Sequence, residues 1–215
     1  MRSPDALKFW HFVAGYACFS ALYVLTQNFH LGSALVVPVT GVDRAIPFLP
    51  KTAFVYATQW ILAIAPFVLI SDDRTKVVTF GRYLMASLLA AAIFVVAPTT
   101  VPRSSLPDTG ASADLLRAIY SFDQPLNCFP SLHVCFSFLA AAAFKDKGKL
   151  VRAGIWTWAV LVSVSTLTTK QHVLLDAVAG LALGCLCLWL RPQAFPKRQN
   201  ILSDNFIIDG IRRQR

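Results

Sequence analysis

Long apolar runs dominate the pattern of hydrophobic and polar positions along the chain, and most charged residues lie between them. A helix needs about 20 apolar residues to cross the hydrocarbon core of a bilayer. Three of the six runs approach that length, and the three shorter ones reach it only with flanking residues. The pattern therefore predicts an all-α membrane bundle with six transmembrane helices. The runs are Phe9–Gln27, Ala53–Ile70, Tyr83–Ala97, Ser131–Phe144, Ala153–Leu167 and Val173–Leu190.

The runs have the pattern of helices rather than of barrel strands. None of them alternates with the period of two that a membrane barrel requires. Pro66 falls inside the second run and predicts a kink there. The first run is long for a signal peptide and has no clear small-residue cleavage site after it, so we expect it to be retained.

Composition agrees with a membrane protein. Of the 215 residues, 56% are hydrophobic and 14% are charged, whereas soluble domains carry about 25% charged residues. These values exclude an ordinary soluble domain and predict one membrane domain over residues 1–190. Residues 191–215 are basic and weakly patterned, and are predicted to form a cytoplasmic tail that touches lipid or is disordered.

Lys and Arg predict the orientation of the bundle. With the N-terminal segment inside, fifteen of the 20 Lys and Arg residues fall in inner segments and five in outer ones. Because inner loops of membrane proteins are enriched in these residues, both termini are predicted to be cytoplasmic. The net charge of +9 then indicates topology and contact with anionic lipid, not nucleic-acid binding.

The five cysteines predict neither a disulfide framework nor a zinc site. Four of them lie within apolar runs, where a thiol packs as a small hydrophobic group. Only Cys128 falls in an outer loop.

That outer loop, Pro98–Pro130, is about 33 residues long, a length typical of functional or disordered segments. Its second part, SADLLRAIYSF, spaces apolar residues almost as a helix does. Two interpretations stay open for this part, a short helix on the membrane surface and a plain irregular loop.

Polar residues stand at the mouths of two apolar runs on the same predicted face. Ser131 can cap the fourth helix, whose first amides would form an anion site, and His133 follows in the first turn. The turn between the fifth and sixth runs carries Lys170 and His172. Asp176 lies one helical turn after His172, so the two side chains face the same way. An acid inside a membrane helix is energetically costly, and His172 is the nearest residue that could offset this cost.

A single histidine at a membrane edge is more often a structural polar residue than a catalytic one. Six polar residues from three segments nevertheless collect at the predicted outer face, and this coincidence favours a site. The six are Arg103, Ser131, His133, Lys170, His172 and Asp176.

This set of side chains suits phosphate chemistry. Cations and a helix N-terminus bind phosphate, a carboxylate-held imidazole serves as nucleophile or base, and a second imidazole serves as general acid. The two histidines and Asp176 also suit a metal ion. Lys170 and Arg103 would repel such a cation, so metal binding is the minor alternative.

Two segments resemble signatures of the type 2 phosphatidic acid phosphatase superfamily, whose six-helix membrane members act on lipid phosphates. The segment PSLH is similar to Pro-Ser-Gly-His, with Leu132 in place of Gly. Ser165, His172 and Asp176 match Ser-Arg-x5-His-x3-Asp, with Thr166 in place of Arg.

The remaining signature of that superfamily, Lys-x6-Arg-Pro, is broken in this chain. Arg103 can stand for its Arg, but Val96 occupies the Lys position and Ser104 follows in place of Pro. The segments FPSLH, LTTKQHVLLD and DRAIPFLP (Asp43–Pro50) look closer to the branch of inositol phosphorylceramide synthases. Members of that branch transfer a phosphoryl-linked headgroup to a lipid hydroxyl.

The resemblance implies a mechanism. His172 would attack phosphorus and form a phosphohistidine, Asp176 would orient it, and His133 would protonate the departing oxygen. Arg103, Ser131 and Lys170 would hold the phosphoryl oxygens, with no metal and no cofactor. Water as acceptor would make the protein a phosphatase, and a lipid or polyol hydroxyl would make it a transferase.

The expected partners are a phospholipid or other lipid phosphate and the bilayer, without nucleic acid. The expected location is a multi-pass membrane position, in the inner membrane if the organism is bacterial, with the site on the extracytoplasmic side. Two alternatives stay open. A transporter could use the His and Asp residues as a proton relay, although it would place polar residues along a path through the membrane. A catalytically inactive, lipid-binding relative would explain the missing Lys and Arg.

Overall fold

The computed structural model describes residues 21–29 and 31–190, which form a helical bundle with one very small sheet. Most of the first apolar run and the whole predicted tail, 191–215, lie outside the described residues. The helices are α1 (21–28), α2 (Gly41–Ala45), α3 (Ala53–Ala57), α4 (Gln59–Leu69), α5 (Asp73–Val96), α6 (Ala111–Phe122), α7 (Leu132–Ala143), α8 (Lys149–Thr168) and α9 (Leu174–Trp189). A 3-10 turn, Pro50–Thr52, leads into α3.

The sheet has two parallel strands of two residues each, β1 (Leu35–Val36) and β2 (Thr99–Thr100). Leu35 pairs with Thr99, and Thr99 also bridges to Asn127 just before α7. These pairings hold the segments before α2 and after α5 against the approach to α7.

Helix α7 is the centre of the bundle. It packs against α4, α5, α8 and α9, and nine of its twelve residues are buried. On one side, Leu139 joins Phe94 of α5 and Leu183 of α9 in one apolar cluster. On the other side, small residues of α7 pack with Leu62 of α4 and Val162 of α8. A helix surrounded by other helices must be apolar on nearly all sides, and α7 meets that requirement except at His133 and Ser137.

Within residues 21–29 and 31–190, three helical segments are long and apolar enough to cross a membrane. They are Pro50–Leu69, Asp73–Val96 and Lys149–Thr168, and only 22–39% of their apolar windows is buried within the protein. Their outward side chains, such as Ile61, Leu88 and Leu161, are hydrophobic and exposed, as lipid-facing residues are. Helices α7 and α9 are apolar but shorter, so the described residues support membrane association and not a count of six spans.

Two sequence predictions differ from the structure in detail. The third run was expected from Tyr83, but α5 begins ten residues earlier at Asp73, because the Asp72 carboxylate accepts from the Thr75 amide at 2.9 Å and caps the helix there. In the second run the helix is interrupted at Thr58, while α4 continues through Pro66. The Thr58 hydroxyl donates to the Val55 carbonyl at 2.6 Å, a local bond that competes with helical hydrogen bonding.

The outer loop contains a regular helix, α6, so the helical interpretation of SADLLRAIYSF is confirmed. Arg117 of α6 pairs with Asp114 at 2.5 Å and also donates to the Pro107 and Asp108 carbonyls. Helix α6 packs against α3 and the 3-10 turn, and this contact brings its C-terminal end to the start of α7.

Candidate active site

The N-terminus of α7 is fixed by Ser131, which is completely buried. Its side-chain oxygen accepts from the Val134 amide at 3.4 Å, as the sequence predicted for a cap. Its own amide donates to the carbonyl of Asp176 in α9 at 3.1 Å. Ser131 therefore joins the first turns of α7 and α9, the two turns that carry the candidate histidines.

A close approach of backbones makes this junction possible. A Cβ atom added to Gly180 in α9 would overlap the carbonyl oxygen of Ser131. Only glycine lets α9 lie this near to the start of α7. Gly180 lies in a run of small residues that is typical of ordinary helix packing, so the sequence pattern does not mark this contact.

His172 and Asp176 form a buried pair in the α8–α9 turn. The distance from His172 Nδ1 to Asp176 Oδ2 is 3.2 Å, and the side chains are 6% and 0% exposed. The same carboxylate oxygen accepts from the Val173 amide at 3.1 Å, so the acid also caps α9. Because Nδ1 faces an acceptor, it carries the proton, and Nε2 of His172 is left with a free electron pair.

The second histidine lies directly opposite that electron pair. His133 Nδ1 is 3.4 Å from His172 Nε2, and the centres of the two rings are 5.6 Å apart. Helices α7 and α9 thus bring together residues 39 positions apart. One phosphoryl group can touch both imidazoles at this separation.

Arg103 belongs to the segment before α6, and its side chain reaches the C-terminal end of that helix. Its guanidinium donates to the carbonyls of Tyr120 and Asp123, and stacks over the Tyr120 ring at 4.1 Å. A cation is favourable there because the last carbonyls of a helix carry partial negative charge. Arg103 also donates to Gln171 Oε1 at 3.0 Å, and this bond connects it to the residue next to His172.

Two buried donors in this pair have no partner among the described residues, namely Arg103 Nε and Gln171 Nε2. Gln171 is only 3% exposed. Buried donors are almost always hydrogen-bonded, so an unused pair beside a candidate site fits an anion. Gln171 was missed in the sequence, where its position before His172 was the only signal.

Lys170 lies two residues after the end of α8, in the left-handed region of backbone conformation, with φ of 55°. Such a conformation costs a residue with a side chain about 1–2 kcal/mol. The Lys170 ammonium is held by the carbonyls of Asp43 and Ile46, at 2.9 and 2.6 Å. Its charge is therefore partly engaged by the segment around α2.

Asp43 organises that segment. Its carboxylate accepts from the Thr40 amide at 2.8 Å and from the Leu174 amide, the first of α9, at 2.6 Å. Burial tends to raise the pKa of this acid, but hydrogen bonds from Thr40 and Leu174 and the charge of Lys170 outweigh it, so the pKa lies below the ordinary value of 3.8. Asp43 is therefore ionised at neutral pH and ties α2 to α9.

A cavity of about 410 Å³ opens beside His172 between the α2 segment and the α8–α9 turn. Arg44 and Lys170 line it together with apolar side chains that include Phe48 and Leu167. The cavity combines positive charge with apolar walls. Arg44 is not among the residues predicted for the site, because in the sequence its charge indicates only the orientation of the bundle.

Two other expectations concern metals and thiols. Among residues 21–29 and 31–190, no group of three or more His, Cys, Asp or Glu side chains is placed to hold a metal ion. Burial raises the pKa of the Cys128 thiol to about 12, assisted by the negative charges of Asp176 and Asp123. Cys128 is thus a neutral thiol at physiological pH, although its loop borders the site.

The structure brings the six predicted residues to one end of the bundle. The two histidines and Asp176 form the centre, Arg103 lies on the α6 side, and Lys170 lies on the α2 side, while Ser131 lies beneath them as a cap. In a comparison with known protein families, the profile of the PAP2 superfamily matches residues 20–190. The chain belongs to the PAP2 superfamily.

Members of the PAP2 superfamily are phosphatases. The superfamily predicted from the sequence motifs is therefore confirmed. A protein of Methanocaldococcus jannaschii, named as uncharacterised, is 32% identical over 104 residues. The match spans 47% of this chain but only 40% of that relative. No solved structure matches the chain.

Proposed function

We propose that the protein is an integral membrane phosphatase or phosphotransferase that acts on a lipid phosphate ester through a phosphohistidine at His172. The observation that carries this proposal is the alignment of Asp176, His172 and His133, with 3.2 Å and 3.4 Å between successive members. Superfamily membership supports the phosphoester chemistry. The exposed apolar helices support a substrate that resides in the membrane.

The first chemical step joins His172 to phosphorus. The electron pair on His172 Nε2 attacks, the bond from phosphorus to the leaving oxygen breaks, and His133 Nδ1 gives that oxygen its proton. Asp176 stabilises the positive charge that develops on the His172 ring. In the second step water or an alcohol attacks phosphorus, His133 Nδ1 takes the acceptor's proton, and the nitrogen–phosphorus bond breaks to restore His172.

Phosphoryl oxygens would be bound by groups from both sides of the histidine pair. We assign this role to Arg103 and Lys170, with Ser131 ordering the amides at the start of α7. The unpartnered donors of Arg103 and Gln171 supply hydrogen bonds in place of the Lys and Arg that the broken signatures lack. These cations also provide the charge neutralisation that a metal would supply, so the proposed mechanism uses none.

A headgroup transferase of the inositol phosphorylceramide synthase-like branch is the finer form of this proposal. The cavity beside His172 is lined by the Asp43–Pro50 segment, the segment whose sequence resembles that branch. Arg44 and Phe48 would contact the headgroup or the acceptor there. The transporter and the inactive relative stay as alternatives, and catalytic turnover distinguishes this proposal from both.

The deciding experiment is a screen of lipid phosphates and phosphodiesters with purified protein in excess chelator, scoring both free phosphate and new phospholipid. We expect metal-independent turnover. Phosphate release would identify a phosphatase, and a new phospholipid would identify a transferase. No turnover on any substrate class would favour an inactive relative, and rescue by a divalent ion would favour the metal alternative.

The finer topology is also part of the proposal: six spans, both termini cytoplasmic and an extracytoplasmic site. The structure supports it by separating the charges, because Arg82, Lys145 and Arg152 line a cavity at the opposite end of the bundle from His133. A cysteine placed at Thr109 should react with an impermeant reagent from outside, and a reporter after Arg215 should be cytoplasmic. Labelling of Thr109→Cys only from inside would reverse the assignment.

A further inference from the structure

His133 has a second neighbour that the proposed mechanism does not use. The hydroxyl of Tyr56, in α3, is 2.7 Å from His133 Nε2, the ring nitrogen that faces away from His172. The two rings lie against each other, with centres 4.8 Å apart and planes tilted by 36°. Tyr56 is 3% exposed, so its hydroxyl has to find its partners within the protein.

The other partner of that hydroxyl is an acid. Tyr56 donates to Asp123 Oδ2 at 3.3 Å, and Tyr23 donates to the other oxygen, Oδ1, at 2.6 Å. The carbonyl of Asp123 accepts from Arg103. The carboxylate is thus fixed by two phenols, and the residue is anchored by the guanidinium of the phosphate site.

The protons of this chain can be assigned from its end groups. Both carboxylates only accept, so His172 Nδ1–H points to Asp176 and the Tyr56 proton points to Asp123. The Tyr56 oxygen then accepts from His133 Nε2–H, and His133 Nδ1–H points to His172 Nε2. All of these contacts are hydrogen bonds only when His133 carries a proton on each nitrogen, which is the form that a general acid needs. Burial of the ring opposes this charged form, and the negative charge of Asp123 favours it.

We propose that Tyr56 and Asp123 are positioning residues that hold His133 through its Nε2–H and stabilise it as the general acid. This inference rests on the proposed function, since it specifies how the acid of that reaction is kept protonated. The proton given to the leaving oxygen comes from Nδ1, while Nε2–H stays bonded to Tyr56 in both steps. No proton travels along the chain, and Asp123 acts by its charge.

The test compares two substitutions of the same kind. Tyr56→Phe removes one hydroxyl from the chain, while Tyr83→Phe removes a hydroxyl that bonds the Ala63 carbonyl at 3.1 Å within the bundle. We expect Tyr56→Phe to lose about 10–100-fold in kcat on an alkyl phosphate lipid. The loss should be much smaller on an aryl phosphate, whose oxygen departs without a proton. Tyr83→Phe should change kcat by the same factor on both substrates.

Nuclear magnetic resonance can detect the hydrogen bond between His133 and Tyr56 without measuring turnover. In nitrogen-15 histidine-labelled protein, His133 should give a hydrogen-bonded Nε2–H resonance, assigned by its absence in His133→Ala and lost in Tyr56→Phe. Asp123→Asn should weaken the resonance and reproduce the leaving-group effect in part. Tyr83→Phe should leave the resonance unchanged.

Two results would overturn the inference. One is an equal loss on both substrates in Tyr56→Phe, and the other is a wild-type His133 without a protonated Nε2. Failure of the proposed function itself has a different signature, which is wild-type protein that turns over no phosphoester. In that case the resonance alone still decides whether Tyr56 and Asp123 hold His133 as described.

Discussion

His172 and His133 are the same side chain in two different settings. His172 lies 3.2 Å from the carboxylate of Asp176, whereas the carboxylate behind His133 belongs to Asp123 and is reached only through the Tyr56 hydroxyl. A direct acid fixes the tautomer of His172 and leaves Nε2 free to attack. An acid one phenol away leaves His133 free to lose its other proton. In the proposed mechanism, this difference in partners, more than the histidines themselves, separates the nucleophile from the general acid.

The largest effect that tests this comparison is expected for His133→Ala. Loss of the acid should slow turnover of a poor leaving group by roughly 10²–10⁴-fold, the usual range for acid–base catalysis. The loss should shrink on an aryl phosphate. Rates of both substrates measured on the same preparation give the ratio. An equal loss of rate on both substrates would contradict the general-acid role. A His133→Ala protein that is less stable but turns over both substrates at normal rates would show that His133 is a structural residue.

The second prediction concerns the contact that brings the two histidines together. Gly180→Ala should destabilise the protein toward the upper end of the roughly 1–3 kcal/mol that overpacking costs, because the new Cβ overlaps the Ser131 carbonyl. Gly184→Ala, one turn later, is the matched control, since its Cβ would lie 3.5 Å from the Cys135 carbonyl oxygen. Thermal unfolding in detergent measures both. Equal stability of the two variants would contradict the close approach.

The smallest expected effect is on the α2 side of the site and depends on pH. The pKa of Asp43 is lowered in the folded protein, so its carboxylate stabilises the fold above about pH 3.8, and that contribution is lost as the pH falls through the folded pKa. Asp43→Asn should cost roughly 0.3–1 kcal/mol at neutral pH, the range for a charge at a helix N-terminus. The difference in the free energy of unfolding between Asp43→Asn and wild type should disappear at acidic pH, where Asp43 is protonated. A gap independent of pH would show that the charge is not what matters.

The sequence predicted the helical class and the groups of the site because both leave local signals. Apolar runs mark the helices, and the one-turn spacing of His172 and Asp176 places them on one face before any tertiary contact is known. The cap at Ser131 is equally local. The interruption at Thr58 and the early start of α5 were not predicted. Each depends on one hydrogen bond between a side chain and the backbone, made by the Thr58 hydroxyl or the Asp72 carboxylate.

The partners of His133 could not be predicted in the same way. Tyr56 and Asp123 are 67 positions apart, belong to different helical segments and fall outside the recognised signatures. Nothing in the local pattern joins a tyrosine in an apolar run to an acid at the end of a loop helix. Gln171 is similar, because its role depends on Arg103 from a distant segment. Such contacts exist only once the bundle has formed.

The most direct test of the central claim is to trap the covalent intermediate. Protein mixed with a substrate labelled at phosphorus is quenched in alkali, in which phosphohistidine survives, and the modified residue is located by mass spectrometry. The account predicts label on His172, no label in His172→Ala, and accumulated label in His133→Ala with an aryl phosphate, because the second step then lacks its base. Turnover by His172→Ala, or label on another residue, would contradict it.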